Sequence, residues 1–238
     1  LGSVVCWLGG SDVGNNGVYV NRGGVECERI STIEIEEIIE NLGEQADAIG
    51  QMWQEKQHTF YALTFPFGNV TLVYDFLTGA WHKRATLGEK NYLNKWRYRF
   101  ATMNEKGKIL FADTGVCVVQ DKEVYTEHDG NLILKKRVGG VMISDHLNFV
   151  CDWVQIVTNN GQNEAIAESA KIAVRYSFDG ATFSTIEQAP IGRIGQYDYE
   201  TMFWIGEYGK YLTLEISCSE PCPFALMGIQ FGGDAMEF

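Results

Sequence analysis

The acidic residues that could take part in acid–base chemistry lie at the ends of predicted strands. Asp75, Asp113 and Asp179 each close a run of apolar and β-branched residues and precede a turn. Two carboxylates that a fold brings together can cleave a glycosidic bond, and sequence spacing does not exclude such a pair. Aspartate at a strand end is first a turn former, because its side chain bonds the backbone that follows. We therefore predict that these residues are structural, that the chain has no catalytic residue and that it is not an enzyme.

Residue types that bind metals are scattered along the chain. Asp12, Asn15 and Asn16 could bind Ca²⁺ through their oxygens, although the same residues also favour turns. Cys218 and Cys222 are the closest cysteine pair, and their spacing matches no common zinc motif. The four histidines share neither a helix nor a metal-ligand spacing: His58, His82, His128 and His146. We predict no metal site, no cofactor and free thiols.

The known nucleotide-binding and nucleophile motifs do not occur in the sequence. It contains no GxGxxG or P-loop pattern, which would bind phosphates. It also contains no GxSxG nucleophile elbow. The sequence motifs therefore predict neither a nucleotide cofactor nor a serine-hydrolase mechanism.

The charge of the chain argues against a direct grip on nucleic acid. Its 238 residues carry a net charge of −12, whereas phosphate contacts need clusters of Lys and Arg. The longest basic run, Lys135-Lys136-Arg137, is short, and we predict that it lies at a strand edge. No apolar run approaches the roughly 18 residues of a membrane span, so we expect no membrane contact.

Antiparallel strands organise the first half of the chain. Residues 60–65 and 70–75 are rich in aromatic and β-branched types, and residues 80–84 begin a third strand. Pro66 removes a backbone donor after the first strand, and Gly79 supplies turn chemistry after the second. Strands this closely spaced indicate a tight meander. We expect a buried aromatic core in this region: Trp53, Tyr61, Phe65, Tyr74 and Trp81.

One helix is expected, over residues 31–42. Ser31 or Thr32 should cap its first turn. Ile35 and Ile39 belong to its apolar face, and its glutamates are expected on the solvent face. The helix is predicted to be inserted among the strands.

Similar segments recur at 17–20, 72–75 and 115–118. Their spacing of about 45–55 residues lies within the range of four-stranded propeller blades. From residue 129 the predicted strands become longer, which is typical of an antiparallel sandwich or a strongly modified blade. The predicted fold is all-β, with kelch-like propeller blades over 1–128 and an antiparallel, sandwich-like or modified-blade region over 129–238.

Several blocks of sequence together resemble one protein family. The blocks are a Ser-Thr-x-x-Ile-Glu segment at 31–36, a Tyr-Asp-x-x-Thr-Gly-x-Trp-His segment at 74–82, and the segments 17–20, 175–180 and 192–197. Their order resembles that of the packaged-DNA stabilisation proteins of short-tailed bacteriophages, also called tail accessory or tail hub proteins. The 74–81 segment alone resembles the hairpin of kelch-type blades.

The resemblance implies a structural virion protein with a β-propeller fold. Such proteins form a ring that docks below the portal and adaptor, retains packaged DNA and carries the needle, fibres or spikes. The family has no catalytic residues, and its members are made in the host cytoplasm and act in the virion tail. An acidic surface would let DNA pass through the channel without sticking. The alternative is a glycan-binding or glycan-cleaving propeller protein of a phage tail.

The number of strands predicts an incomplete propeller. Residues 1–128 supply strands for only about two or three blades, whereas propellers typically close with four to eight. The sequence opens within an apparent strand, which suggests that it continues a longer protein. Otherwise a neighbouring subunit or the C-terminal strands must cover the open flanks, since exposed apolar sheet faces invite aggregation.

Overall fold

The chain forms an all-β protein, as predicted. The computed structural model describes residues 4–10, 16–89, 92–104, 107–121, 123–139, 142–143, 148–159, 161 and 170–234. The strands pair antiparallel, and the described residues include one α-helix. The chain divides into unit 1, Leu1–Asp121, and unit 2, Lys122–Phe238. The sequence had placed this boundary after residue 128.

The described residues of unit 1 form four antiparallel sheets and the helix. Its strands are β1 (Val5–Gly9), β2 (Gly17–Asn21), β3 (Glu28–Arg29), β4 (Ile49–Glu55), β5 (His58–Phe65), β6 (Val70–Asp75), β7 (Ala80–Lys83), β8 (Ala85–Leu87), β9 (Leu93–Lys95), β10 (Tyr98–Asn104), β11 (Gly107–Ala112) and β12 (Cys117–Val119). Three sheets are meanders in chain order: the first sheet β1-β2-β3, the central sheet β4-β5-β6-β7 and the third sheet β10-β11-β12. Strands β8 and β9 form a separate two-stranded sheet.

The central sheet is buried on both faces. Successive side chains of a strand point to opposite faces, and neighbouring residues of β5 accordingly enter different cores. One core joins the central sheet to the first sheet and the helix: Val18, Val20, Ile30, Ile35, Ile39, Tyr61, Leu63, Phe65, Leu72 and Tyr74. The other joins it to the third sheet: Trp53, Ala62, Val73, Trp96, Tyr98, Leu110 and Ala112. The three sheets therefore stack in chain order.

Helix α1 spans Ile33–Asn41, within the predicted range. Thr32 occupies the N-cap position, but its side chain makes no cap hydrogen bond. The Ser31 hydroxyl instead accepts from the Val18 N–H at 3.0 Å and donates to Glu36 at 2.5 Å. The expected side-chain cap was therefore wrong, because Ser31 links β2 to the helix. Among the described residues no helix has the length and apolar character needed to cross a membrane.

Glu36 does not lie on the solvent face, which corrects the prediction for the helix. The side chain is buried and accepts from the Arg29 guanidinium at 2.6 and 2.7 Å. A buried carboxylate is tolerated when it is paired and hydrogen-bonded. Glu34, Glu37 and Glu40 are exposed, as expected.

The predicted aromatic core is present, with one difference. Trp53, Tyr61, Phe65 and Tyr74 are buried. Trp81 is only partly buried, because β7 is an edge strand of the central sheet. Its indole Nε1 donates to the Ile30 carbonyl at 2.7 Å, which ties this edge to the first sheet.

Unit 2 consists of two antiparallel sheets over one core. Its strands are β13 (Lys135–Val138), β14 (Met142–Ile143), β15 (Phe149–Thr158), β16 (Lys171–Ser177), β17 (Glu187–Pro190), β18 (Thr201–Gly209), β19 (Tyr211–Cys218) and β20 (Leu226–Gly232). One sheet has the order β18-β15-β20, and the other has the order β13-β19-β16-β17 with β14 also on β19. Residues of β15, β16, β18 and β19 share the core, including Val154, Ile172, Phe203 and Leu214.

The basic run 135–137 lies in β13 at a sheet edge, as predicted. Lys136 pairs with Glu215 at 2.6 Å. Lys135 donates from Nζ to the carbonyls of Glu220 and Cys222 at 3.1 and 2.9 Å. Two of the three basic groups are therefore engaged within unit 2.

Replacing Trp53 by Ala should lower the free energy of unfolding of unit 1 by about 3–5 kcal/mol. The ring is 1% exposed and stacks near Phe60 and Trp96, at centroid distances of 5.5 and 5.6 Å. Urea denaturation followed by circular dichroism measures the change. Tyr92→Ala is the control, because Tyr92 is 71% exposed and should cost less than about 0.5 kcal/mol. Equal urea midpoints for the two variants would contradict the packing described.

Candidate functional site

The carboxylates that the sequence singled out have separate structural partners. Asp75 accepts from the Leu77 N–H at 3.0 Å and the Thr78 hydroxyl at 2.9 Å, and it contacts His58 Nδ1 at 2.7 Å. Burial alone would raise the pKa of Asp75, but these hydrogen bonds outweigh it and lower the pKa. Asp75 thus holds the β6–β7 turn and keeps its negative charge.

Asp113 and Asp179 are also held locally. Asp113 forms ion pairs with Lys95, at 2.7 Å, and with Arg99. Asp179 accepts from the backbone N–H groups of Thr182 and Ala181 at 2.7 and 2.8 Å, and these bonds lower its pKa strongly. No hydrogen bond or ion pair joins any two of the three predicted carboxylates in the described part of the chain.

The candidate metal ligands do not converge where the structure describes them. No group of three His, Cys, Asp or Glu residues among the described residues could hold a metal ion. Asn16 donates to the Gln45 side chain, while Asp12, Asn15 and His146 lie outside the described residues. His58 and His82 flank the Phe60 ring at centroid distances of 5.7 and 6.0 Å. Both histidines therefore contact the Phe60 ring of the central sheet, and His82 is exposed there.

The six cysteines are free thiols. Cys218 and Cys222 are both buried in the core of unit 2. A hydrogen bond from the Cys222 thiol lowers the pKa of Cys218. The neighbouring Lys135 ammonium favours the same thiolate.

A cluster of cations and aromatic rings lies between the central and third sheets, and the sequence did not predict it. We call it the cation–aromatic cluster: Trp53, Phe60, Arg84, Trp96 and Lys108. The Arg84 guanidinium carbon lies 4.9 Å from the Trp53 ring centroid, 5.4 Å from that of Phe60 and 5.1 Å from that of Trp96. Cation–π contacts of this kind contribute about 2 kcal/mol when desolvated. The cluster therefore joins the two sheets.

Cross-strand pairing explains how Arg84 reaches this layer. Its N–H donates to the Thr71 carbonyl of β6 at 3.1 Å, which continues the β7 ladder. Arg84 is two residues beyond His82, which pairs with the inward-facing Val73. Because strand side chains alternate with a period of two, Arg84 faces the third sheet.

Lys108 brings a second buried cation to the cluster. Its side chain is 5% exposed, its Nζ lies 4.6 Å from the Trp53 centroid, and the Glu55 carboxylate is 3.1 Å away. Burial lowers the pKa of Lys108 to about 8, with Arg84 adding to this effect and Glu55 opposing it. An amine with such a pKa could act as a base, but the rings and Glu55 enclose it. We interpret the cluster as a packing device.

The outer face of the third sheet is an exposed apolar surface. We call it the third-sheet outer face: Phe100, Ile109, Phe111, Cys117 and Val119. Register aligns Phe100 with Phe111 and Phe111 with Cys117, and it aligns Ile109 with Val119. Phe100 is 56% exposed and Val119 is 53% exposed. Contiguous exposed apolar residues of this kind mark interaction sites.

The first sheet presents a second, smaller apolar surface. We call it the first-sheet outer face: Val5, Trp7 and Tyr19. The Trp7 and Tyr19 rings stack at 5.9 Å with an interplanar angle of 20°. Gly9 leaves room for them, because a Cβ there would approach the Tyr19 ring at 3.1 Å. The two end sheets of the stack therefore both carry aromatic residues on their outer sides.

Comparison with known proteins does not identify a family. No family model matches the chain, and no curated protein sequence matches it. Among solved structures, a protein described as a glycoside hydrolase aligns with 95% of this chain and 70% of its own, at a TM-score of 0.24 and 8% identity. An exo-β-1,3-galactanase from Phanerochaete chrysosporium, solved with galactose, aligns with 96% of this chain and 68% of its own, at a TM-score of 0.24 and 10% identity. TM-scores this low support no inference about this chain.

Replacing Lys108 by Met should change how stability depends on pH. The pKa of Lys108 is about 8 in the folded protein and 10.5 in the unfolded chain, so the unfolded chain binds more protons between these values. The stability of the wild type relative to Lys108→Met should therefore rise with pH across this window, by up to roughly 1.4 kcal/mol per pH unit.

Urea denaturation of both proteins from pH 7 to pH 10.5 measures this difference in the free energy of unfolding. The effects of Cys6 and Tyr61, whose pKa values burial raises, are common to both proteins and cancel. If the difference in the free energy of unfolding stays constant with pH, the lowered pKa of a buried Lys108 is wrong.

Proposed function

We propose that this chain is a structural protein of the tail of a short-tailed bacteriophage. It acts as a subunit of the tail hub ring, docks below the portal and adaptor, retains packaged DNA and helps to carry the needle, fibres or spikes. The observation that supports this proposal most is the stack of three antiparallel meanders in unit 1. The sequence resemblance given above supplies the family, and the stacking is the arrangement that consecutive propeller blades require.

The central sheet has the organisation of one blade. It is a four-stranded antiparallel meander, and its two faces pack against the preceding and following sheets. Blades of a propeller pack in this radial order and leave only short, protected edges. We therefore propose that the first, central and third sheets are blades of a larger propeller-like ring.

The outer faces of the stack need a cover. Phe100, Phe111 and Val119 are exposed on the third sheet, although side chains of the same types are buried between the sheets. We propose that the third-sheet outer face packs on the first-sheet outer face of a neighbouring copy, because that contact continues the stacking direction. Such a contact joins different surfaces of two copies, and contacts of this type close into rings when the rotation permits.

The net negative charge favours binding to other tail proteins and disfavours binding to the DNA itself. A net charge of −12 repels the phosphate backbone, whose binding would need clustered cations. Lys95, Lys108 and Lys136 are each paired with a carboxylate. DNA would then pass along the channel without being held by these groups.

The test is assembly of the purified protein on its cognate portal–adaptor complex, imaged by electron cryomicroscopy. We expect the wild type to add a ring, and Phe111→Asp to weaken ring formation at least about tenfold, because it places a charge in an apolar contact. Tyr92→Asp is the matched control, since Tyr92 is exposed and lies outside both outer faces. A wild type that binds no portal–adaptor complex would overturn the function. A ring that forms equally well with Phe111→Asp would overturn only the proposed contact.

A further inference from the structure

A cleft of about 390 Å³ in unit 2 has the chemistry of a cation site. Aromatic rings and carboxylates line it: Tyr176, Phe178, Asp179, Phe183, Glu207 and Tyr208. We propose that this cleft binds the guanidinium group of an arginine side chain presented by a partner protein. The inference concerns unit 2 alone and does not depend on the tail assignment.

A β-bulge aims Glu207 at the cleft. Cys151 of β15 pairs with Glu207 of β18, and Trp153 pairs with Trp204. One residue separates the two partners on β15 and two residues separate them on β18, so β18 carries one extra residue. Gly206 lies in this bulge and has a φ of +64°, which glycine adopts without strain. Bulges re-aim side chains next to functional sites. Glu207 therefore lies opposite the buried Cys151, where its carboxylate meets the Tyr176 hydroxyl at 3.0 Å.

The carboxylates of the cleft have no cationic partner among the described residues. Glu207 accepts one hydrogen bond, from the Tyr176 hydroxyl. Asp179 accepts from the Ser177 hydroxyl at 2.8 Å and from the backbone after it, and these bonds keep it ionised. Burial, with the nearby Glu207 and Glu187 charges, raises the pKa of Tyr176 to about 12. The cleft therefore carries negative charge at Glu207 and Asp179.

The aromatic residues provide faces on which a guanidinium can stack. Phe178 and Phe183 line the cleft and are partly exposed. Phe178 is held against Tyr176 and Phe149 at centroid distances of 5.9 and 6.1 Å. Gly209 makes room for it, because a Cβ at that position would lie 2.8 Å from the Phe178 Cβ. Packing within unit 2 therefore fixes the position of the Phe178 ring in the absence of a ligand.

The chain already uses this combination of groups to hold an arginine beside the cleft. The Arg175 guanidinium lies 5.2 Å from the Phe183 centroid, and its Nη2 and Nε donate to Glu215 at 2.6 and 3.0 Å. Planar guanidinium groups stack on rings and bond carboxylates at the same time, which an ammonium group does less well. Glu207 and Phe178 offer a similar pairing of a carboxylate with a ring, since both side chains contact Tyr176.

The experiment is a titration of the ¹⁵N-labelled protein with N-acetyl-arginine amide, followed by amide chemical shifts. We expect saturable shifts at Gly180 and Gly209, with a dissociation constant on the order of millimolar for a single side chain. N-acetyl-lysine amide should bind more weakly, and methyl β-galactoside should leave these amides unshifted. Unmoved cleft amides with the arginine probe, or larger shifts with the glycoside, would overturn the inference.

Two variants separate a cation site from an unspecific surface effect. Glu207→Gln should weaken binding about tenfold through loss of a charge-assisted hydrogen bond. Glu200→Gln is the matched control, because Glu200 is exposed, lies outside the cleft and changes the net charge equally. If Glu207→Gln and Glu200→Gln bind the probe equally well, the proposal is wrong.

Discussion

Burial of both faces of the central sheet is the constraint on which unit 1 depends. In β5 the residues from Tyr61 to Phe65 are all buried, so the strand has no solvent face. Strands covered on both faces are nearly continuous in apolar residues, unlike those of sheets with one wet face. Each face then requires a covering sheet, and the first and third sheets meet that need. The first and third sheets in turn each have an outer face, and the apolar residues on that face also need to be covered.

Specific hydrogen bonds also fix how the central and third sheets lie against each other. Gln51 donates to the Tyr98 carbonyl at 3.1 Å, and the Thr71 hydroxyl accepts from the Trp96 N–H at 3.1 Å. Buried polar groups are costly unless they are hydrogen-bonded, so these bonds favour one register between the sheets. Arg84 adds three ring contacts in the same layer. A fixed angle between neighbouring sheets is what a ring of repeated sheets requires.

The sequence predicted what local patterns determine and missed what long-range pairing determines. Strand β15, Phe149–Thr158, is one of the longer strands that the sequence predicts after residue 129, and neither glycine nor proline interrupts it. The sequence missed strand β18, since the bulge at Gly206 interrupts its alternation. The sequence placed Arg84 in a strand, but its position among three rings depends on sheets formed by distant residues. Glu36 looked solvated because the helix pattern does not reveal that Arg29 lies against it.

The contact proposed between neighbouring copies can be detected through the alkylation rate of Cys117. Peptide mass spectrometry measures this rate across a range of protein concentrations. Cys117 lies exposed on the third-sheet outer face, which we propose is covered by a neighbouring copy. A thiol introduced by Gln57→Cys, in the exposed β4–β5 turn, provides the reference rate in the same molecule. Cys117 should become protected from iodoacetamide as the protein concentration rises, while the reference thiol should not. A Cys117 rate that stays in constant ratio to the reference rate at every concentration would contradict the proposed contact.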